Sequence, residues 1–175
     1  DVITFISKTE GLPDSHPWLP AANGYKYYSN GPRGHQYLME FKRDVLDCYD
    51  CFTVGESPLT TADIALQYVT EGPDQVLDEM ISFSHMEADC FMIDMVQLPF
   101  NLVKMKRAFS DWQYKLAGRG WNALYIENHD HPRIISRYGN EAYRNESGKM
   151  LAAMYMLQRG TPFIYQGQEI GMLNL

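Results

Sequence analysis

Acidic side chains stand at the ends of three short apolar runs. Phe52-Thr53-Val54 passes through Gly55 into Glu56, and Ala123-Leu124-Tyr125-Ile126 passes into Glu127-Asn128-His129-Asp130-His131-Pro132-Arg133. Phe163-Ile164-Tyr165 passes into Gln166-Gly167-Gln168-Glu169. A carboxylic acid that gives up a proton, beside a carboxylate that attacks or stabilises a cationic carbon, is what cleavage of a glycosidic bond requires. Each residue also has a structural explanation: Asp130 as a helix cap, Glu56 as an acceptor for backbone N–H groups ahead of a helix at Thr60, His129 as a satisfied core residue. Convergence on one face favours chemistry, because several carboxylates in one cleft repel one another unless a reaction uses them. Twelve Tyr, eight Phe and three Trp offer sugar-stacking surfaces and core material alike.

The elements that must carry these residues are legible by period. Leu102, Met105, Phe109, Trp112 and Leu116 form an apolar stripe on a predicted helix ending near Gly118. Leu38, Phe41, Val45 and Cys48 predict a helix over Gly34–Tyr49, and Met150, Leu151, Met154 and Leu157 predict one stopped by Gly160 and Pro162. A fourth starts at Thr60, where Asp63 would complete a capping box, and runs to about Val69. Between them Phe52–Val54, Met80–Phe83, Ala123–Ile126 and Phe163–Tyr165 read as buried strands. Val2–Ile6 alternates like a strand but equally suits the loop or short helix that follows one. A stretch at about 8–32, rich in Gly, Pro, Ser and Asn, reads as a loop excursion of the kind that shapes a cleft.

Strands alternating with helices imply right-handed crossovers and a parallel sheet, hence an α/β fold. Neither G-x-G-x-x-G nor G-x-x-x-x-G-K-[ST] occurs, so the common nucleotide-binding versions recede and a β/α barrel remains. A closed barrel has eight strands and about 250 residues. The 175 residues with four clear strands are therefore expected to be the second half of a (β/α)8 TIM barrel, incomplete as it stands, with residues 1–175 forming one part of a larger catalytic domain.

Composition excludes other classes. Lys plus Arg number 15 against 22 Asp plus Glu, a net charge of −7, which is a poor basis for binding nucleic acid through its phosphates. No apolar stretch approaches the roughly 20 residues that span a bilayer, so no membrane partner is expected. Three cysteines are too few for a disulfide scaffold. Cys48 and Cys51 form a C-x-x-C pair without the further ligands zinc would need, and read as reduced, partly buried thiols of a cytoplasmic protein, one ending a helix and one opening a strand.

Three strings carry a family resemblance: Thr53-Val54-Gly55-Glu56, Ile126-Glu127-Asn128-His129-Asp130-His131-Pro132-Arg133, and Gly160 through Met172. Together with the opening Asp1-Val2-Ile3-Thr4-Phe5-Ile6-Ser7-Lys8, they resemble the α-amylase family of glycoside hydrolases, family 13, most closely its oligo-1,6-glucosidase and dextran glucosidase branch. The resemblance runs from the end of the fourth barrel strand through the eighth. It implies a retaining exo-α-glucosidase working by double displacement on an oligosaccharide. Asp1 then matches the nucleophile, Glu56 the general acid/base, and Asp130 the carboxylate that stabilises the transition state. His129 matches a residue that binds the same sugar, and Arg133 one that orients the cluster. Retention would put the nucleophile and acid/base carboxylates about 5–5.5 Å apart.

In this branch Val after the nucleophile goes with α-1,6 links, so Val2 points to isomaltose-type substrates. α-1,4-Glucosidase, transglycosylase, trehalose-phosphate hydrolase and a non-catalytic amylase-like binding subunit are the alternatives. No cofactor or metal is implied within the segment; calcium, which some relatives bind, would sit outside it. The branch usually shows Phe-Glu-His where this chain has Phe83-Ser84-His85. The N-terminal half of the barrel would precede Asp1, and the 175-residue chain alone is expected to be inactive.

Overall fold

The computed structural model describes residues 1–16, 18, 23–91 and 96–175. Residues 17 and 19–22 of the predicted excursion lie outside the described residues. The chain forms two compact units, one of Asp1–Ser84 with Tyr114–Trp121, the other of His85–Gln113 with Asn122–Leu175.

In the first unit a 3-10 turn at Ile3–Phe5 is followed by helices α1 (Tyr25–Tyr28) and α2 (Gly34–Asp44), strand β1 (Val54–Glu56), helix α3 (Ala62–Val69) and strand β2 (Glu79–Ile81). The Val2–Ile6 segment is thus the short helix, not a strand. β1 and β2 pair in parallel across the α3 crossover, with Val54 opposite Glu79 and Glu56 opposite Ile81. α3 buries Ala62, Ala65, Tyr68 and Val69, and Val76, Leu77 and Met80 are buried in the same unit. Fully burying a side chain of the size of Val69, Val76, Leu77 or Met80 contributes about 1.5–3 kcal/mol.

Several boundaries differ from the sequence reading. α2 stops at Asp44 because Val45 (φ −129°, ψ −61°) leaves helical geometry, and a 3-10 turn at Leu46–Cys48 continues the apolar stripe. The Lys42 ammonium pairs with Asp47 across this break. α3 is capped by Thr61, whose hydroxyl accepts from Ile64 N–H at 3.4 Å, and not by Thr60. The Thr60 hydroxyl donates to Asn30 at 3.1 Å instead. Asp63 then sits one place too early for a capping box and pairs with Lys115 at 2.7 Å. Cys48 and Cys51 are both free and exposed, and Cys51 precedes β1 without entering it.

The second unit contains the antiparallel pair β3 (Cys90–Phe91) and β4 (Val96–Gln97), helix α4 (Leu102–Leu116, whose last turn belongs to the first unit), strand β5 (Trp121–Leu124, with Trp121 in the first unit), helices α5 (Ile134–Tyr138) and α6 (Arg144–Met156), and strand β6 (Thr161–Pro162). β5 and β6 pair in parallel, Ala123 opposite Thr161, and the pairing reaches Phe163, whose N–H donates to the Leu124 carbonyl at 2.7 Å. The β3–β4 pair and α5 have no counterpart in the sequence reading, since two-residue strands and a five-residue helix carry too little periodicity to register. Met105, Trp112, Leu124, Tyr125, Ile126, Ile134, Ile135, Leu151 and Tyr155 are buried in this unit.

Candidate active site

Glu56 is the last residue of β1, and the opening segment of the chain is built against that strand end. Gly55 makes this approach possible: a Cβ there would lie 2.5 Å from Ile3 Cδ1 and 2.6 Å from Leu77 Cδ1. Asn30 N–H donates to the Thr4 carbonyl at 2.8 Å, and Arg33 N–H donates to the Ser7 hydroxyl at 3.0 Å. Asn30 also ties the segment to the loop after Glu56, its side-chain amide donating to the Leu59 carbonyl at 3.3 Å. Ser57, fully buried, donates to the Ile81 carbonyl at 3.0 Å and joins the ends of β1 and β2.

This framework brings Val2 to Glu56. The Val2 N–H donates to Glu56 Oε2 at 3.0 Å, across 54 residues of sequence. Val2 itself is left-handed, with φ 44° and ψ 42°. A β-branched residue rarely adopts that conformation. Strain of this kind costs about 1–3 kcal/mol and persists where surrounding contacts over-determine it. Here the Phe5 N–H donates to the Val2 carbonyl at 3.1 Å while Glu56 takes its N–H. Asp1 is exposed.

The second unit gathers the other candidates on the loop between β5 and α5. His129 Nε2 lies 3.4 Å from Asp130 Oδ1, with both side chains open to solvent. Asp130 N–H donates to Asn128 Oδ1 at 3.0 Å, a local Asx bond that shapes the loop tip. Asp130 therefore caps no helix, and His129 is not a core residue.

Arg133 anchors the far end of the loop. Its guanidinium pairs with Glu127, donates to the Gln166 carbonyl at 2.8 Å and lies over the Tyr165 ring, 4.9 Å from the centroid. Glu127 is 3% exposed and also accepts Ile134 N–H at 3.0 Å, so the carboxylate nearest the end of β5 is a buried brace. The sequence reading gave Glu127 no role of its own. The available signal was its position directly after the buried run ending at Ile126.

A second brace lies beneath the loop and was also missed. Arg137 donates to Asp89 from Nε at 2.9 Å and from Nη2 at 2.7 Å, with both side chains nearly buried. Nη2 also donates to the Met86 carbonyl at 2.9 Å, and Nη1 lies 3.3 Å from His131 Nδ1. A guanidinium only donates, so His131 Nδ1 is the acceptor and its proton sits on Nε2. The Tyr138 hydroxyl shares its one proton between the Met86 carbonyl at 3.1 Å and Asp89 Oδ1 at 3.2 Å, and burial pushes its pKa upward. Ser84 opens the 3-10 run Ser84–Asp89, its N–H on the Ser82 hydroxyl at 3.2 Å. Among the described residues no group of His, Cys, Asp and Glu is arranged to hold a metal ion.

Parallel strand pairs joined by helices, with carboxylates where strands end, define a β/α-barrel domain, of which this chain is a part. Residues 1–175 match the alpha amylase catalytic domain throughout, and the chain belongs to the alpha-amylase family. It is 44% identical to an oligo-1,6-glucosidase of Parageobacillus thermoglucosidasius, over 100% of this chain and 32% of that protein. It is also 44% identical to the trehalose-6-phosphate hydrolase of Bacillus subtilis (strain 168), over 99% of this chain and 31% of that one. Among solved structures, a variant of the Bacillus licheniformis trehalose-6-phosphate hydrolase superposes with a TM-score of 0.88 at 41% identity, covering 99% of this chain and 31% of the other. The chain thus spans about a third of the length of the relatives it matches.

Proposed function

We propose that the protein containing this chain is a retaining exo-α-glucosidase that hydrolyses α-1,6-linked gluco-oligosaccharides. Asp1 attacks the anomeric carbon while Glu56 protonates the departing oxygen. Water, deprotonated by Glu56, then releases the sugar from Asp1. Asp130 and His129 hold hydroxyls of the reacting glucose, Arg133 positions their loop, and Val2 shapes the neighbouring subsite toward α-1,6 links. Carboxylates and water suffice, so no cofactor is assigned, and any calcium lies outside this segment.

The observation that supports the reading is the Val2 N–H bond to Glu56, which ties the residue next to Asp1 to the side chain proposed as acid/base. Likeness to oligo-1,6-glucosidases supports the α-1,6 preference. Equal identity to a trehalose-6-phosphate hydrolase favours a second reading, in which the substrate carries a phosphate. A cytoplasmic location, where thiols such as those of Cys48 and Cys51 stay reduced, is part of the same proposal.

The test is Glu56→Gln in the full-length protein, assayed with isomaltose, maltose and trehalose 6-phosphate. General acid catalysis contributes roughly 10²–10⁴-fold, and a loss of kcat of that order on isomaltose is expected. Unchanged turnover would remove Glu56 from the mechanism, and a wild type acting on trehalose 6-phosphate alone would establish the second reading.

A further inference from the structure

Val2 is a residue in an unfavourable backbone conformation whose N–H is spent on one oxygen of Glu56. We infer that this main-chain N–H is the positioning donor for the acid/base, and that the left-handed turn at Val2 exists to aim it. The inference deepens the proposed glucosidase reading and rests on it.

The geometry assigns different work to the two carboxyl oxygens. Oε2 accepts from the Val2 N–H at 3.0 Å, so the transferable proton belongs on Oε1. When that proton passes to the glycosidic oxygen, the C–O bond to the leaving sugar breaks and the carboxylate left behind keeps a donor already in place. A charged acceptor strengthens such a bond about twofold over a neutral one, so the interaction gains as Glu56 ionises. In the second step Oε1 takes a proton from the attacking water, with Oε2 still tethered.

The turn is held from every side the chain offers. Ile3 packs over Gly55, Phe5 N–H closes on the Val2 carbonyl, and Asn30 N–H fixes Thr4. These contacts make the strained N–H direction a consequence of the fold and independent of the valine side chain.

The experiment replaces the Asp1–Val2 amide by an ester in the full-length enzyme, using the α-hydroxy acid analogue of valine at position 2. This removes the donor and keeps the side chain. Isomaltose has an alkoxide leaving group that needs the proton, whereas p-nitrophenyl α-glucoside leaves with little help. The ester is expected to lower kcat/KM on isomaltose about tenfold more than on the aryl glucoside. Equal losses on both would overturn the inference, since a merely structural role lowers them together.

Val2→Gly supplies a second arm should the ester fail to fold. Glycine keeps the N–H and adopts the left-handed turn freely. Because the valine side chain also shapes the α-1,6 subsite, this arm compares phenyl with p-nitrophenyl α-glucoside, similar in shape but unequal in their need for the proton. Their kcat/KM ratio should stay within about twofold of wild type; a tenfold fall would tie it to the side chain and overturn the inference. Glu56→Gln separates the two layers. If it spares isomaltose cleavage, the glucosidase assignment of Glu56 fails; if it abolishes cleavage while the ester keeps the wild-type ratio, only the role of the Val2 N–H fails.

Discussion

His85 should make this protein lose stability as the pH falls from neutral toward 4. Its ring is buried, stacked on Phe109 with centroids 4.8 Å apart and meeting Tyr125 edge-on at 4.9 Å. Among the described residues Nε2 has no hydrogen-bond partner. Burial is the main cause that drives the pKa down from 6.5 to about 4; the Tyr125 backbone, which bonds the ring, opposes it, and coulombic repulsion from His131, when that ring is itself protonated, and from Arg137 adds to it. The unfolded chain, with a pKa near 6.5, binds this proton more readily than the folded one. Stability is therefore intact above pH 6.5 and declines toward pH 4.

A difference of 2.5 units corresponds to about 3 kcal/mol in full, of which about 2 kcal/mol is lost between pH 7 and pH 5. Denaturant unfolding of the full-length protein at pH 7, 6 and 5, wild type against His85→Gln, measures it. The wild type should lose about 2 kcal/mol more than the variant over this range. Parallel curves, or a His85 ring resonance titrating at pH 6 or above by NMR, would refute the reasoning.

Breaking the Arg137–Asp89 pair by Arg137→Ala leaves a carboxylate uncompensated in the interior and should cost about 3–5 kcal/mol, read from the denaturation midpoint. Replacing both partners by apolar residues, Arg137→Met with Asp89→Leu, should recover most of that loss. Gly55→Ala drives a methyl into Ile3 and Leu77; thermal melting should show a destabilisation of about 1–3 kcal/mol. Because Ile3 supports the Val2 turn, the same variant should also lower kcat on isomaltose.

Much of the framework is legible from spacing because apolar residues at helical intervals have only one way to face a core. α2, α3, α4 and α6 were located this way, with errors of a few residues at their ends. The strands were found but displaced: β1 ends on Glu56 and not before it, because its limits follow the register against β2 and not its own apolar content. Glu56, Asp130, His129 and Arg133 stood out as polar groups beside apolar runs. Asp89 and Arg137 did not, since a buried ion pair 48 residues apart in sequence leaves no local trace.

The sequence by itself determined the kind of domain, its order of helices and strands, and the acidic residues at strand ends, since these follow from periodicity and residue type. Only the tertiary structure decided which of the charged groups are exposed and which are braces. It alone coupled Val2 to Glu56, because that bond depends on a left-handed turn imposed by contacts with Gly55 and Asn30, and distant parts of a chain meet only where packing brings them together.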